Sequence, residues 1–511
     1  MQKLDEKVVF KDYNPNQIML LPPSLEELIE QDHPVRVVHQ IIDSIDMQPV
    51  IAKYKGGGTS SYHPKMLLKI LVYGYLSNIY SSRKLENALK ENIHFMWLAG
   101  MSKPDHNTLN RFRSDRLKGV LKEVFSQVVF LLSESGHVDL KEVYTDGTKI
   151  EANANKYTFV WGKSIKTNKE KMAKQLEELW SYTQQIAKEE FDQQVPDFTV
   201  IDPEKVAQTI QQIDTALQDK PVSKKVKQKL NYARKNWPGK LAEYEEKQAI
   251  LGERNSYSKT DTQATFMRMK DDHMQNGQLK PGYNLQISTN GQIITHYTLH
   301  QKPSDTTTFI PHFDSFKKLY GQLPESITAD AGYGSQENYE YTETEKITGY
   351  IKYNYFHKEQ KQHKKKDDNL KNASSLHYNK EQDTYYCPMG QRMKRVGTQN
   401  RKTSTGYPQS YALYQAENCH GCPLRGGCHD QNTNRVLSVN HRLRTLKEKA
   451  RRLLLSEEGI KHRKKRPCEV EAVFGNLKQN KGFKRFMLRG LEKVEIETGL
   501  MALAHNLAKV A

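Results

Sequence analysis

At 511 residues the chain is long enough for two to four domains, because single apolar cores stop growing near roughly 250–300 residues. Its 78 Lys and Arg against 60 Asp and Glu leave a formal charge of +18, which attracts polyanions by releasing condensed counterions, although a merely soluble basic protein is an equal alternative on charge alone. No apolar run approaches the ~20 residues that span a bilayer. The opening MQKLDEKVVFKDYNPNQ lacks a signal-like apolar core, and four of the five cysteines crowd between Cys387 and Cys428, so a cytosolic protein is the simplest expectation.

In chain order, residues 20–136 read as helical, with a break near Ser81–Ser82, a short helix capped by Asp105 and a longer one ending at Gly136. Arg111, Arg113 and Arg116 project from this pattern; they suit a helix-turn-helix DNA reader, or equally an ordinary bundle with a solvated basic face. VDLKEVYTDGTKIEA is expected to be a strand carrying Asp146, with Gly147 beside it leaving room for a metal or substrate. Residues 161–252 return to helix: Met172, Leu176 and Leu179, then Val206, Ile210, Ile213 and Leu217, then Val226, Leu230 and Ala233 fall at helical spacing. Pro221 and Trp237-Pro238-Gly239 mark turns between these helices.

GYNLQISTNGQIITHYTLH reads as a hairpin about Asn290-Gly291, followed by a helix over Thr307–Tyr320. SITADAGYG reads as a short buried strand with Asp330 at its C-terminal end, Gly332 and Gly334 in a tight turn, and Ser335 capping the next helix. HKEQKQHKKKDDNLKNASS is expected to be a mobile polar loop. Cys387, Cys419, Cys422 and Cys428 follow, in a charged, Gly-rich stretch. A CxxC pair with two further cysteines suits structural Zn²⁺ that folds a segment lacking a core; an inert or redox-active cluster is the alternative. From His441 helices run to the C-terminus with a break near Lys481-Gly482. In that stretch Val470, Phe474 and Leu477 form a buried stripe, Cys468 reads as a small buried residue, and Glu471 sits at the stripe's edge with Gly475 and Lys478 on its face. Glu469 flanks the other side as the rival acid. Gly475 would admit another backbone, and Lys478 could reach a DNA phosphate.

Phosphodiester chemistry needs charge neutralised on both the attacking and the leaving oxygen, and carboxylates converging from separate elements can hold divalent cations for that purpose. Asp146, Asp330 and Glu471 are the candidates, although each aspartate alone is as readily a turn or cap residue, and the glutamate helix alone a surface ion-pairing one.

The combination resembles insertion-sequence DDE transposases with a ribonuclease-H-like core, specifically the eleven-eighty-two group. The similarity rests on YHPKMLLKILVYGYLSNIYSSRKLE, YTDGTKIEANANKYTF, TFMRMKDDHMQNGQLKPGYNLQIS, ITADAGYGSQENY and VEAVFGNLKQNKGFKRFMLRGLEKVEIETGLMALAHNL, in order along nearly the whole chain. It implies an α/β fold: a ribonuclease-H-like mixed sheet with an all-α N-terminal domain, an α-helical insertion and a small Cys-rich insertion. The expected division is a DNA-binding domain over 1–136, catalytic core over 137–160 and 256–352, a helical insertion over 161–255, a Lys-rich and Cys-rich insertion over 353–440, and closing helices over 441–511.

The resemblance also implies that Asp146, Asp330 and Glu471 bind Mg²⁺ or Mn²⁺. Lys478, seven after Glu471, fits the wider insertion-sequence pattern; Arg466 stands five before Glu471 where that pattern puts an arginine four before, and no tyrosine occupies HRKKRP. DNA-contacting roles thereby fall to Lys478, Arg466, Arg111 and Arg113. The implied activity is metal-dependent cleavage at terminal inverted repeats and joining to target DNA, by an enzyme at least dimeric in its synaptic complex, acting in the bacterial cytoplasm on nucleoid DNA. The alternatives are a ribonuclease-H-like nuclease without strand transfer and a zinc-containing DNA-binding regulator without catalysis.

Overall fold

The computed structural model describes residues 24–54, 61–187, 191, 195–269, 277–362 and 370–511. Its N-terminal part is helical: α1 (Pro34–Ser44), α2 (Gln48–Ile51), α3 (Pro64–Leu76), α4 (Ser82–Glu91), α5 (Ile93–Leu98), α6 (His106–Arg111) and α7 (Leu121–Glu134). Caps set several of these starts. The side chains of His33 and His63 accept the N–H two residues on, each followed by Pro at the first helical position, and Asp105 accepts from Thr108 N at 2.8 Å, as expected of it.

Strand β1 (Glu142–Glu151) opens the main sheet. The short β2 (Phe159–Trp161) pairs with β3 (Ser256–Ser258), and between them lie α8 (Gly162–Ala187), α9 (Pro203–Ala216) and α10 (Lys224–Leu251). The expected helical stripes close on one another here: Leu176, Leu179, Trp180, Val206, Ile210, Ile213, Leu230, Ala233 and Trp237 share an apolar core of their own. The turn at Pro221 separates α9 from α10, but the one expected at Trp237-Pro238-Gly239 is absent, because α10 runs through Pro238. Buried Trp237 and Leu241 hold that stretch against the insert's core, which outweighs proline's lost hydrogen bond.

After β4 (Thr265–Arg268), β5 (Leu279–Asn290) and β6 (Ile293–His300) form the expected hairpin, displaced by one residue: Gly291 and Gln292, both at positive φ, are its central pair. Helix α11 (Phe309–Tyr320), β7 (Ser326–Ala329), α12 (Gln336–Thr344), β8 (Thr348–Ile351) and α13 (Phe356–Gln362) follow. The helix α13 takes up the start of the stretch expected to be a loop; residues 363–369 of it lie outside the described residues. Both β4 and β6 pair with β5, and beyond β5 the sheet continues through β1 and β7 to β8. Strands β6, β5 and β1 run antiparallel, whereas β1, β7 and β8 run parallel.

A second, antiparallel sheet holds β9 (His377–Asn379), β10 (Thr384–Tyr386), β11 (Arg392–Lys402), β12 (Pro408–Ala416) and, after α14 (Arg425–Cys428), β13 (Val436–Val439). Helices α15 (His441–Leu455), α16 (Glu457–Arg466), α17 (Ala472–Gly475) and α18 (Leu491–Val510) complete the chain. Two wide π turns, Pro467–Glu471 and Asn476–Asn480, flank α17. One large apolar cluster passes from the N-terminal helices through β5 and β6 to α18. Among the described residues no helix is long and apolar enough to cross a membrane.

Candidate active site

Two of the three carboxylates are brought together by strand register. Parallel pairing of β1 with β7 ends on Thr145 opposite Ala329, so Asp146 and Asp330 occupy the next positions on neighbouring strands, which lie about 4.8 Å apart. Asp146 is 8% exposed, whereas the Asp330 side chain is half-exposed and faces Lys352 Nζ at 3.9 Å. As expected, Ser335 caps the helix beyond Asp330 by accepting from Asn338 N.

The glycines of the aspartate strands do something other than expected. A Cβ on Gly147 would strike Gln286 Nε2 and stand 2.6 Å from Asp305 Oδ1, so the room there is filled by protein. A Cβ on Gly334 would come within 2.5 Å of the Lys352 carbonyl, so this glycine answers to crowding rather than to positive φ. Behind the aspartates lies a buried polar network that sequence reasoning missed. The hydroxyl of Tyr333 donates to Gln286 Oε1; Gln286 Nε2 and Asn284 Nδ2 both donate to Asp305 Oδ1, at 3.0 and 2.8 Å. Burial drives the Tyr333 phenol well above its usual range, reinforced by the charges of Asp146, Asp305 and Asp330, so it stays a neutral donor. Pairing of β5 with β1 places Asn284 and Gln286 there, and Asp305 and Tyr333 meet them from the turns after β6 and β7.

The third carboxylate arrives on the π turn. Glu471 has its side chain 53% exposed, and its Oε1 takes a 2.7 Å bond from Arg466 Nη1, while Arg466 Nη2 stands 3.1 Å from Asp146 Oδ2. One planar guanidinium therefore bridges Asp146 and Glu471 and keeps their carboxylate oxygens within about 8 Å of each other. Arg466 is itself 3% exposed, and its Nε is buried with no partner among the described residues. Burial pulls the Lys352 ammonium below its usual range, opposed by Asp330 and Glu471 and helped by Arg466 and Arg463. Glu469, the rival acid, is fastened elsewhere: its Oε2 accepts from Gln292 N at 2.9 Å and Oε1 faces Lys465 at 3.3 Å.

Several other expected site residues are placed differently. Val470, Phe474 and Leu477 are buried as the stripe requires, but Lys478 is buried as well, 7% exposed, rather than standing out toward a phosphate. Nothing lies within 4 Å of a Cβ on Gly475, so no backbone approaches it, and Cys468 is exposed. Both placements follow the ordinary helical period: Lys478 stands eight after Val470 and four after Phe474, beside the buried stripe, and Cys468, two before Val470, falls on the far side. Arg113 also turns inward: 4% exposed, it donates to the Tyr80 carbonyl at 2.9 Å and to Asn110. Arg116 bonds the Lys53 carbonyl and stacks on Tyr54 at 4.6 Å, whereas Arg111 remains exposed.

The cysteines do not assemble. Cys428 Sγ accepts from Arg435 Nη1 at 2.8 Å, Cys387 Sγ from Gln391 N and Cys419 Sγ from Arg435 N, and all are free thiols. Among the described residues no three His, Cys, Asp or Glu side chains come close enough together to hold a metal ion, so structural Zn²⁺ gains no support. The segment has an apolar core of Tyr385, Met393, Tyr414, Leu437 and Val439, with Cys387 and Cys419 packed against it.

Two comparisons with known families bear on this geometry. A transposase DDE domain family matches residues 386–511, which include Glu471, and a second family, described as a transposase domain, matches residues 23–115. Together they indicate an insertion-sequence DDE transposase. No curated protein and no solved structure matches the chain.

Proposed function

We propose that this transposase cuts and joins DNA at a centre made of Asp146, Asp330 and Glu471. The observation that carries the reading is the bridge of Asp146 and Glu471 by one buried guanidinium, with Asp330 at the neighbouring register position. Asp146 and Glu471, remote in sequence, share a single cationic partner, and Asp330 occupies the register position beside Asp146. The mixed sheet, antiparallel on one side of β1 and parallel on the other, supports a ribonuclease-H-like core.

The donor set is hard oxygen, which suits Mg²⁺ or Mn²⁺, and Arg466 stands where the carboxylates already require positive charge. Asp146, Asp330 and Glu471 would hold the cations once Arg466 moves aside. When bound, the cations neutralise charge on the attacking and leaving oxygens of an in-line displacement. The chain's own groups do the rest. Tyr333, Gln286, Asn284 and Asp305 hold the floor beneath the aspartates rigid, and Arg466, drawn off by a phosphate, would pair with the DNA backbone instead. Lys352 adds positive charge beside Asp330. Water cleaves at the terminal inverted repeats, and the freed 3′-hydroxyl attacks target DNA, within an assembly of at least two copies on nucleoid DNA in the cytoplasm.

The test mixes the full chain with Mg²⁺, a labelled duplex carrying the element's end, and supercoiled plasmid. Joined product is expected, and Asp146→Asn should reduce it by about 10³-fold or more while end binding is retained. Cleavage without joining would instead select a plain nuclease, and wild-type rates from the mutant would remove the assignment.

A further inference from the structure

The β11–β12 hairpin has a composition that neither the carboxylate centre nor the apolar cores explain. From Arg392 to Ala416 it contains Arg392, Lys394, Arg395, Arg401 and Lys402 and not one acidic residue. Register divides its side chains between two faces. Met393, Ala412, Tyr414 and Ala416 are 0%, 6%, 0% and 2% exposed and face the core of the second sheet. The opposite face carries Lys394 across from Gln415, Gln399 across from Tyr411, and Arg401 across from Gln409, with Arg392 continuing the row. An irregularity between Arg395 and Gly397 bends the ribbon and restores this alternation beyond it.

Two of the basic groups near the base of the ribbon are paired, Lys394 with Glu417 at 3.4 Å and Arg395 with Asp383 at 3.4 Å. Among the described residues no acid pairs with the basic groups of the outer half. Thr398, Gln399, Asn400, Arg401 and Lys402 are all exposed, and Arg401 lies over the Tyr411 ring at 4.8 Å with a bond to Gln399. A guanidinium stacked in this way is pre-aligned, so it loses little rotamer freedom on meeting an acceptor. The tip is anchored beside the active site: Thr405 bonds Glu337 at 2.7 Å and Tyr407 bonds Glu340, both on α12, the helix that follows Asp330. Arg392 to Lys402 spans about 33 Å, close to one turn of B-form DNA, whose major groove admits a two-stranded ribbon.

We propose that the Arg392–Lys394–Gln399–Arg401 face of this ribbon, with Lys402 at its edge, is a docking surface for duplex DNA. The partner rests on the transposase reading, and the surface is new. Positive charge without acid meets phosphate, and the Gln and Arg forks offer amide and guanidinium donors to phosphates or base edges. Anchorage on α12 delivers the bound duplex toward Asp330.

The experiment measures binding of the full-length protein to a fluorescein-labelled 40-base-pair mixed-sequence duplex in EDTA, across a salt series. Because no metal is present, failure of the catalytic assignment leaves the result readable, and failure here leaves the catalytic test intact. Arg392→Ala/Arg401→Ala/Lys402→Ala is expected to weaken binding about tenfold or more at 0.1 M salt and to lower the log–log salt slope by about 2–3. Lys224→Ala/Lys225→Ala/Lys227→Ala on the helical insert removes the same charge as a control. If the ribbon variant matches wild type or the control, the proposal falls. It falls equally if the ribbon variant loses affinity for polyglutamate but not for the duplex. Lys402→Glu, a single change at an exposed side chain, repeats the test should the triple variant fail to fold, with a smaller slope change expected and an unchanged slope overturning the proposal.

Discussion

The helical insert and the carboxylate centre are built by opposite means. In α8–α10 the groups that meet are close in sequence, and one apolar cluster holds most of the unit: Trp180 packs on Phe191 at 4.5 Å and on Phe198 at 6.3 Å. At the centre, Asp146, Asp330 and Glu471 come from β1, the end of β7 and a π turn, and charge rather than apolar area holds the last of them in place. A unit with its own core tolerates damage locally, whereas a site assembled from distant pieces transmits it. Trp180→Ala should therefore destabilise the insert by about 3–5 kcal/mol. Hydrogen exchange would show faster amides in α8–α10 with those of β5 unchanged; equal loss in both would end the contrast.

Removing Arg466 tests the other half of the comparison. Arg466→Ala strips the shared cationic partner from Asp146 and Glu471, an expected loss of about 3 kcal/mol in EDTA. Divalent cation should then substitute for the guanidinium, so Mn²⁺ should raise the melting temperature more in the variant than in wild type. Equal metal-induced shifts in the two proteins would show that Arg466 does not occupy the cation position.

What could be read from the sequence follows the same division. Periodicity is a local property, so the stripes of α8–α10, the hairpin of β5 and β6, and the Asp105 and Ser335 caps were all legible. Asp330 was legible as the end of a short apolar strand. The inward turn of Arg113 was not, because its acceptors, Tyr80 and Asn110, are chosen by packing among three helices. Burial of Lys478 and exposure of Cys468 follow the helical period about Val470 and Phe474, against what residue type alone suggests. The cysteines show the limit of spacing: CxxC describes what could bind a metal, and among the described residues no metal-holding group is assembled around it. The floor of Tyr333, Gln286, Asn284 and Asp305 was invisible because its members come from β5 and from the turns after β6 and β7, and meet only in the folded chain.

The smallest effect concerns how the helix bearing Glu471 is held against the sheet. His505 on α18 joins the two: it shares a 2.8 Å hydrogen bond with the Gln292 carbonyl in the β5–β6 turn through Nε2, and its Nδ1 faces Asn476 Nδ2 at 3.1 Å. With Nε2–H donating to the carbonyl, Nδ1 must accept from the amide, which requires a neutral ring. Burial supplies that condition by holding His505 down at about 4. The unfolded chain takes up this proton near pH 6.5, so the stability it contributes is complete above that value and is lost as pH falls toward 4. Between pH 7 and pH 5 the loss should be about 1–2 kcal/mol. Buried His296 and His312, also held below their usual range, add to the same slope, so the decisive measurement is a difference. The pH dependence of the urea midpoint should be shallower in His505→Gln than in wild type. If the two curves run parallel, this ring does not couple the Glu471 helix to the sheet through its protonation state.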